Sequence, residues 1–192
     1  NVKNTAIGGL AGDSIEGGDE NTYVGYAAGS ASVDVDGNTA IGHMAYVKGT
    51  GASNTVIGGG AGSSAKNSST ALSGDDNVII GRSAGYDLTT GPGNVLVGRS
   101  AGANMTTGDY NVAIGWEAAV AMVGNGNTNI AIGKRALYTE ASTASSCIAI
   151  GLEALKLQND ASAINLAIGT SAGEAITSGT QNALIGHEAG SA

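Results

Sequence analysis

Three segments of this sequence match the pattern glycine–any residue–serine–any residue–glycine, in which an exposed serine can act as a nucleophile. They are Gly81 to Gly85, Gly98 to Gly102 and Gly169 to Gly173. A serine hydrolase also needs a histidine as general base, and the sequence holds only His43 and His187. Because all three matches fall at the same phase of a repeat, we interpret them as a by-product of that repeat. The sequence predicts no enzyme and no catalytic residue.

Residues that could bind a metal ion or a cofactor are few and scattered. His43 and His187 have no metal-ligating neighbour at a suitable spacing. Acidic turns such as Asp75-Asp76 could offer oxygen ligands to calcium, but no ligand spacing recurs from turn to turn. The glycine-rich segment from Gly124 to Asn127 precedes no predicted helix, which nucleotide-binding loops require. The sequence therefore predicts neither a metal site nor a cofactor.

A repeat that covers nearly the whole chain positions these residues. Its unit is clearest in Asn111 to Ala118, and eleven recognisable copies follow one another. We take the glycine after the strand-like segment as the pivot and number the other positions of the unit from it. The pivot glycines are Gly8, Gly25, Gly42, Gly58, Gly81, Gly98, Gly115, Gly133, Gly151, Gly169 and Gly186. Their spacing of 16 to 18 residues, with one gap of 23, predicts a solenoid with one coil per copy.

The three residues before each pivot glycine are typical of a short strand. Position minus one is Ile or Val in every copy, and positions minus three and minus two are mostly apolar or Thr. We predict strands over Thr5 to Ile7, Val112 to Ile114 and their equivalents, with the pivot glycines stacked in a row. Position minus four is Asn except at Cys147, which predicts a ladder of stacked amides. Position plus three is always Ala, which indicates a layer where backbones pack closely.

The predicted strand is apolar on both faces, so a single chain leaves one face uncovered. Positions minus one and minus three share a face, and position minus two lies on the other. We expect the row at minus two, mostly Ala, to pack around a common axis with two further chains, since soluble monomers rarely expose such a stripe. On this hypothesis the row is the interface of a homotrimer, and aspartates at Ala131 and Ala149 would disrupt it.

Positions plus one and plus two vary freely, which is typical of an exposed edge. We predict that they form a ridge along the solenoid and that a ligand would bind there or at a loop inserted at residues 63–76. Trp116 could stack on a sugar ring, although packing is the commoner role of a single tryptophan. The candidate surface contacts on the ridge are Arg82, Arg99, Trp116, Lys134 and His187.

Composition excludes several classes of function. The net charge of −8 and the eight scattered Lys and Arg residues argue against a nucleic-acid partner. No apolar run is long enough to cross a membrane, so we expect no membrane insertion. The single cysteine, Cys147, cannot form an internal disulfide. The chain starts at Asn1, already in repeat register, and we expect both ends to continue into, or dock on, further segments.

The unit Asn-x-Ala-Ile-Gly-x-x-Ala-Gly resembles the repeat of phage tail-fibre proteins and other fibre proteins. It is also similar to the left-handed β-roll heads of trimeric autotransporter adhesins, which carry the same Ala-Ile-Gly core. The resemblance covers Asn4 to Gly190, and the shorter repeats of the adhesins favour the fibre proteins. It implies a trimer with one coil per repeat, used for attachment at a virion or cell surface. No functional residue carries over, because the shared positions are structural.

Together these observations predict an all-β protein, a trimeric parallel β-solenoid (β-roll or β-helix) whose single repeat domain spans residues 1–192 in eleven coils of 16–23 residues. The expected function is that of a structural attachment segment, the shaft or receptor-binding region of a viral tail fibre in the virion. Expected partners are two further copies, a carbohydrate or protein receptor on the host cell, and neighbouring fibre or baseplate segments. The alternatives are a bacterial trimeric adhesin head and a subunit of a self-assembling extracellular filament, at the bacterial surface or outside the cell.

Overall fold

A computed structural model describes residues 3–63, 71–122, 124, 126–139, 144–160 and 163–191. These residues form eleven strands of three residues each, in one parallel sheet whose order follows the sequence. The strands are β1 Thr5–Ile7, β2 Thr22–Val24, β3 Thr39–Ile41, β4 Thr55–Ile57, β5 Val78–Ile80, β6 Val95–Val97, β7 Val112–Ile114, β8 Ile130–Ile132, β9 Ile148–Ile150, β10 Leu166–Ile168 and β11 Ala183–Ile185. Each strand lies at positions minus three to minus one of one repeat, so the prediction of a parallel β-solenoid is confirmed.

The repeat positions stack in register from one coil to the next. Every strand pair aligns like positions, as Val112 does with Ile130 and Ile114 with Ile132. The backbone N–H of each pivot glycine donates to the carbonyl at minus one of the preceding coil, as from Gly133 to Ile114 at 2.8 Å. The pivot glycines therefore form a continuous row, as predicted. In the described ranges there is no helix, and so none that could cross a membrane.

The row at position minus two lines the interior of the coil, which corrects the interface predicted above. Its residues in β2 to β10 have no exposed surface at all, and Ala131 and Ala149 are among them. The residues at minus one and minus three point outward instead and are half-buried or exposed. Strand alternation showed which residues share a face, but with both faces apolar it did not show which face is inside. The small residues at minus two fit a narrow core rather than an axis between chains.

Large and small side chains alternate between two interior positions, minus two and plus four. Tyr23 at minus two lies against Gly29 at plus four, where an added Cβ would come within 2.6 Å of the tyrosine ring. In the next coil the sizes are exchanged, with Ala40 at minus two and Tyr46 at plus four, both fully buried. Ala131 pairs with Leu137 in the same way. In these coils a large residue at one position faces a small one at the other, as close packing requires, whereas three coils have small residues at both positions: Ala6 with Gly12, Ala113 with Ala119, and Ala167 with Gly173.

The asparagines at minus four form the predicted ladder beside the sheet. The amide oxygen of Asn94 accepts two hydrogen bonds from Asn111, one from its backbone N–H at 2.8 Å and one from its side-chain amide at 3.2 Å. The amide of Asn111 also donates to the carbonyl of Gly126 at 2.8 Å. Since these groups are buried, the ladder satisfies backbone polar groups that would otherwise be costly to bury. Cys147 interrupts it, because a thiol does not reproduce the amide's hydrogen bonds.

A second ladder lies at position minus six, which the sequence analysis did not single out. The side chain in one coil accepts the backbone N–H at the same position of the preceding coil. Asp36 does so for Asp19 at 2.7 Å, Asp75 for Ala52 at 2.8 Å and Asn127 for Asp109 at 2.8 Å. Asp75, one of the possible calcium ligands suggested by the sequence, is thus used to cap the backbone of the neighbouring coil.

Half of the predicted loop insertion at residues 63–76, residues 64–70, lies outside the described residues. From residue 71 onward the chain again stacks on the preceding coil. The carbonyl of Leu72 accepts hydrogen bonds from the backbone N–H groups of Thr50, at 2.8 Å, and Gly51, at 3.1 Å. Gly74 and Asp75 then stack on the preceding coil like their equivalents elsewhere. The fold therefore extends in register on both sides of the longest gap in the repeat.

Candidate binding surfaces

The residues at plus one form an exposed ridge along the solenoid, which we call the plus-one ridge. It consists of Gly9, Tyr26, His43, Gly59, Arg82, Arg99, Trp116, Lys134, Leu152, Thr170 and His187, all of them exposed. The carbonyl of each of the first ten accepts the N–H of the residue at plus two of the next coil. Examples are Ser100 to Arg82 at 3.0 Å and Arg135 to Trp116 at 3.0 Å. The predicted alignment of these side chains is therefore confirmed, and it is fixed by main-chain hydrogen bonds.

The residues at plus two are less exposed than predicted and form a ladder of ion pairs in the later coils. Arg135 pairs with Glu117 at 2.8 Å and approaches Glu153 at 4.0 Å. Lys156 joins this ladder by pairing with Glu153 at 2.9 Å and Glu174 at 3.0 Å. The hydrogen bond to Glu117 raises the pKa of the Arg135 guanidinium, and bonds to Glu153 and Glu174 raise the pKa of Lys156. These charges stabilise the stack and are already partnered.

Trp116 lies between two cations that come from the coils on either side of it. The guanidinium of Arg99 is 5.7 Å from the ring centroid, and the ammonium of Lys134 is 4.7 Å from it. Both distances fall within the range of cation–π attraction. The tryptophan is therefore neither a free platform for a sugar ring nor a core residue, but a spacer that holds two cations in line.

The two histidines lie apart from these cations. The His43 ring stacks on Tyr26 of the preceding coil, with ring centroids 5.4 Å apart and an interplanar angle of 19°. His187 lies in the last coil and is 3.3 Å from Glu188. Across the described ranges, no group of three His, Cys, Asp or Glu side chains could hold a metal ion.

The serines of the three glycine–serine motifs occupy plus two. Ser83, Ser100 and Ser171 are half-buried and have a positive φ of 53 to 56°. Ser171 hydrogen-bonds the carboxylate of Glu174, and this bond, followed by that from Lys156, lowers the pKa of Glu174. The repeat thus places these serines in a structural turn.

The outward face of the sheet is a second candidate surface. We define the outer sheet face as positions minus one and minus three of the eleven strands. Its residues are Ile or Val at minus one, and Thr, Val, Ile, Leu or Ala at minus three, so it carries no charge. Ile114 and Ile168 are each more than a third exposed, and Ile7 and Ile185 in the end strands more than half. A shallow groove at one side is lined by Ile148, Leu166 and Ala183 among others.

Comparisons with known proteins identify no relative. No protein-family model, no curated protein and no solved structure matches the sequence or the fold of this chain.

Proposed function

We propose that this chain is a structural attachment segment of a fibre, the shaft or receptor-binding region of a viral tail fibre, and that three copies assemble around the outer sheet face. The observation that carries the proposal is the apolar character of that face. Twenty-two side chains in two rows point outward along the solenoid, and none of them is charged. Four threonines at minus three lie in the first four strands, so the face is most apolar from β5 to β10.

The size of this face suits an interface between copies. Strands spaced about 4.8 Å apart make an eleven-stranded sheet roughly 50 Å long, and three residues span about 10 Å. A flat strip on the order of 500 Å² is comparable with the largest apolar patches of soluble monomers, which are commonly functional.

Parallel packing of three chains would bring like coils together. A rotation axis parallel to the solenoid places each isoleucine row beside the same row of the neighbouring chains, so the repeat matches itself along the interface. The resemblance of the repeat to trimeric fibre and adhesin proteins favours three chains over two. The assembly is a stiff rod that presents three copies of the plus-one ridge, so weak contacts with a receptor add up by avidity.

Sedimentation equilibrium tests the assembly. The chain has a mass of 18.5 kDa, and we expect a single species of three times that mass at micromolar concentration. A stable monomer under these conditions would overturn the proposed packing.

Immunogold electron microscopy tests the location and role. Antibodies against this chain should label the tail fibres of virus particles, and the purified trimer should bind host cells. Labelling of the bacterial surface instead would replace the tail fibre by a bacterial adhesin head. Labelling of free filaments would support the extracellular filament.

A further inference from the structure

The cations that lack an ion-pair partner are concentrated on one part of the plus-one ridge. Within the described ranges, Lys3, Arg135 and Lys156 are paired with carboxylates. Arg82, Arg99, Lys134 and Lys48 are exposed and make no ion pair with any residue that the structure describes, and the first three of them lie on the plus-one ridge. We call Arg82, Arg99, Trp116 and Lys134 the cationic segment; its members come from four consecutive coils. An acidic chain of net charge −8 therefore presents one strip of free positive charge.

The spacing of these cations is fixed by the fold. Their carbonyls accept N–H groups of the next coil, from Ser100 to Arg82 and from Glu117 to Arg99, both at 3.0 Å. Adjacent coils are about 4.8 Å apart, so Arg82 and Arg99 are anchored one step apart, and Arg99 and Lys134 two steps apart. Like charges held this close repel each other unless an anion lies between them. A ligand with several negative groups would relieve this repulsion and is therefore the kind of ligand that the row favours.

Trp116 determines what such a ligand can use. Because Arg99 and Lys134 lie within cation–π distance of its ring, a base or a sugar that stacked on the ring would compete with these two cations. Single-stranded nucleic acids bind largely by stacking their bases on aromatic rings, which the cations beside Trp116 oppose. Guanidinium groups instead bind planar or tetrahedral anions such as carboxylate and sulfate through paired hydrogen bonds.

We propose that the cationic segment binds an acidic polysaccharide, lying along the axis of the solenoid, through its carboxylate or sulfate groups. This inference rests on the proposed attachment function and names the chemical class of the receptor. Arg82, Arg99 and Lys134 make the contacts, and Trp116 is a positioning residue.

Titrations of the intact protein with heparin, hyaluronate and neutral dextran test the proposal. Trp116 is the only tryptophan, so its emission reports directly on the cationic segment. Heparin should change this emission, and affinity should fall with rising salt. Binding of hyaluronate as well assigns recognition to carboxylates, and binding of heparin alone assigns it to sulfates. Dextran should have no effect.

A pair of charge-matched variants gives the control. Arg82→Gln with Arg99→Gln and Lys3→Gln with Lys48→Gln each remove two positive charges from exposed residues. The first variant should weaken heparin binding at least tenfold and reduce the slope of log affinity against log salt by about two, one for each lost contact. The second should bind within about twofold of the unmodified protein, because it changes the net charge by the same amount but leaves the cationic segment intact; an effect of net charge alone would weaken both variants equally.

Three results would overturn the inference. One is the absence of any response to heparin and hyaluronate, and another is equal weakening by both double variants. The third is inorganic polyphosphate binding as tightly as heparin, which would replace the polysaccharide by polyanions in general. If one of these results is obtained while the chain is a trimer and antibodies against it label tail fibres, the attachment function stands and only the polysaccharide receptor is excluded. If the chain is a monomer and binds heparin, only the proposed assembly is overturned.

Discussion

Single side chains decide how well each coil is joined to the next, and the clearest case is the gap in the asparagine ladder. Cys147 is fully buried, and its backbone N–H donates to the amide oxygen of Asn129 at 2.9 Å. The Asn165 backbone N–H faces the sulfur of Cys147, which is a weaker acceptor than the amide oxygen of Asn94 that takes the equivalent bond from Asn111. The thiol packs against the carbonyl of Ala163 at 3.4 Å, and burial raises its pKa.

Completing the ladder with Cys147→Asn should stabilise the protein. The new amide oxygen would accept the Asn165 N–H more strongly than the sulfur does, and the new amide would donate to the Asn129 side chain. One strengthened and one new buried hydrogen bond contribute about 1–2 kcal/mol together, which for a chain of this size raises the melting temperature by roughly 2–8 °C. Differential scanning calorimetry measures the shift. Cys147→Ala, which removes the thiol without adding an amide, is the control and should melt lower than the unmodified protein.

Two buried tyrosines make stability depend on alkaline pH. Burial raises the pKa of Tyr23 to about 12 and raises that of Tyr46 as well. The unfolded chain releases these protons near pH 10, so the stabilising effect is complete below pH 10 and is lost as the pH rises towards 12. For Tyr23 this amounts to about 2–3 kcal/mol. Melting temperatures from pH 8 to 12 should therefore fall less steeply for Tyr23→Phe; equal slopes would contradict this assignment.

At neutral pH the same two tyrosines should differ. The Tyr46 hydroxyl donates to the carbonyl of Gly51 and accepts from the amide of Asn54 at 3.3 Å. The Tyr23 hydroxyl makes no well-formed hydrogen bond with any residue that the structure describes, although the side chains of Ser32 and Asn38 lie near it. We expect Tyr46→Phe to lose about 1–2 kcal/mol of unfolding free energy and Tyr23→Phe to change little or gain. Urea titrations of both variants make the comparison.

At the scale of the strand and its turn, the sequence was sufficient to place every element. Ile or Val before an invariant glycine identified all eleven strands and their register, because a short parallel strand must present the same positions to each neighbour. The alternation of side chains alone did not show which face of the sheet lies inside the coil. The exchange of large and small residues, as in Tyr23 with Gly29 and Ala40 with Tyr46, is the sequence signal that would have found it. The minus-six ladder was missed because Asp, Asn and Ser all serve as its acceptors.

Two adjacent glycines test how strictly the turn depends on its pivot. Gly58 has a φ of +133°, and an added Cβ would lie 2.6 Å from the carbonyl of Gly81. Gly59 has an ordinary φ, and an added Cβ would be 3.9 Å from its nearest neighbour, the carbonyl of His43. Gly58→Ala should cost roughly 2–5 kcal/mol through strain and overpacking. Gly59→Ala should be neutral or slightly stabilising, because it restricts only the unfolded chain. Urea unfolding of the two variants provides the test, and equal losses would contradict the role of the pivot.

At the scale of the whole molecule, the repeat places like side chains in line and so produces two continuous surfaces. The plus-one ridge and the outer sheet face both run the length of a rod on the order of 50 Å. The ridge could be predicted, since variable residues at a fixed phase indicate exposure. The outer sheet face was assigned to the interior, so the interface predicted from the sequence lay on the wrong side of the strand. The reason for expecting an oligomer is unchanged, because one apolar face of the strand, with two rows of side chains, still lies outside the single chain.

Charges placed on the two sides of the strand should therefore have opposite consequences. Ile114 is 38% exposed on the outer sheet face, and Ile150 lies in the same row. Ile114→Lys with Ile150→Lys should leave the coil folded, because lysine side chains there reach solvent in a single chain, but should dissociate the trimer by setting like charges around its axis. Ala131→Asp should instead prevent folding, since it buries an unpaired carboxylate inside the coil, at a cost of several kcal/mol.

Sedimentation and circular dichroism, measured together, separate these outcomes. We expect the double lysine variant to be a folded monomer of 18.5 kDa and the aspartate variant to lose its β-sheet spectrum. Thr170→Lys, on the exposed ridge, is the control for added charge and should remain a folded trimer. A double lysine variant that stays trimeric would move the interface away from the outer sheet face. A folded Ala131→Asp variant would contradict the placement of position minus two in the interior, on which the choice of interface depends.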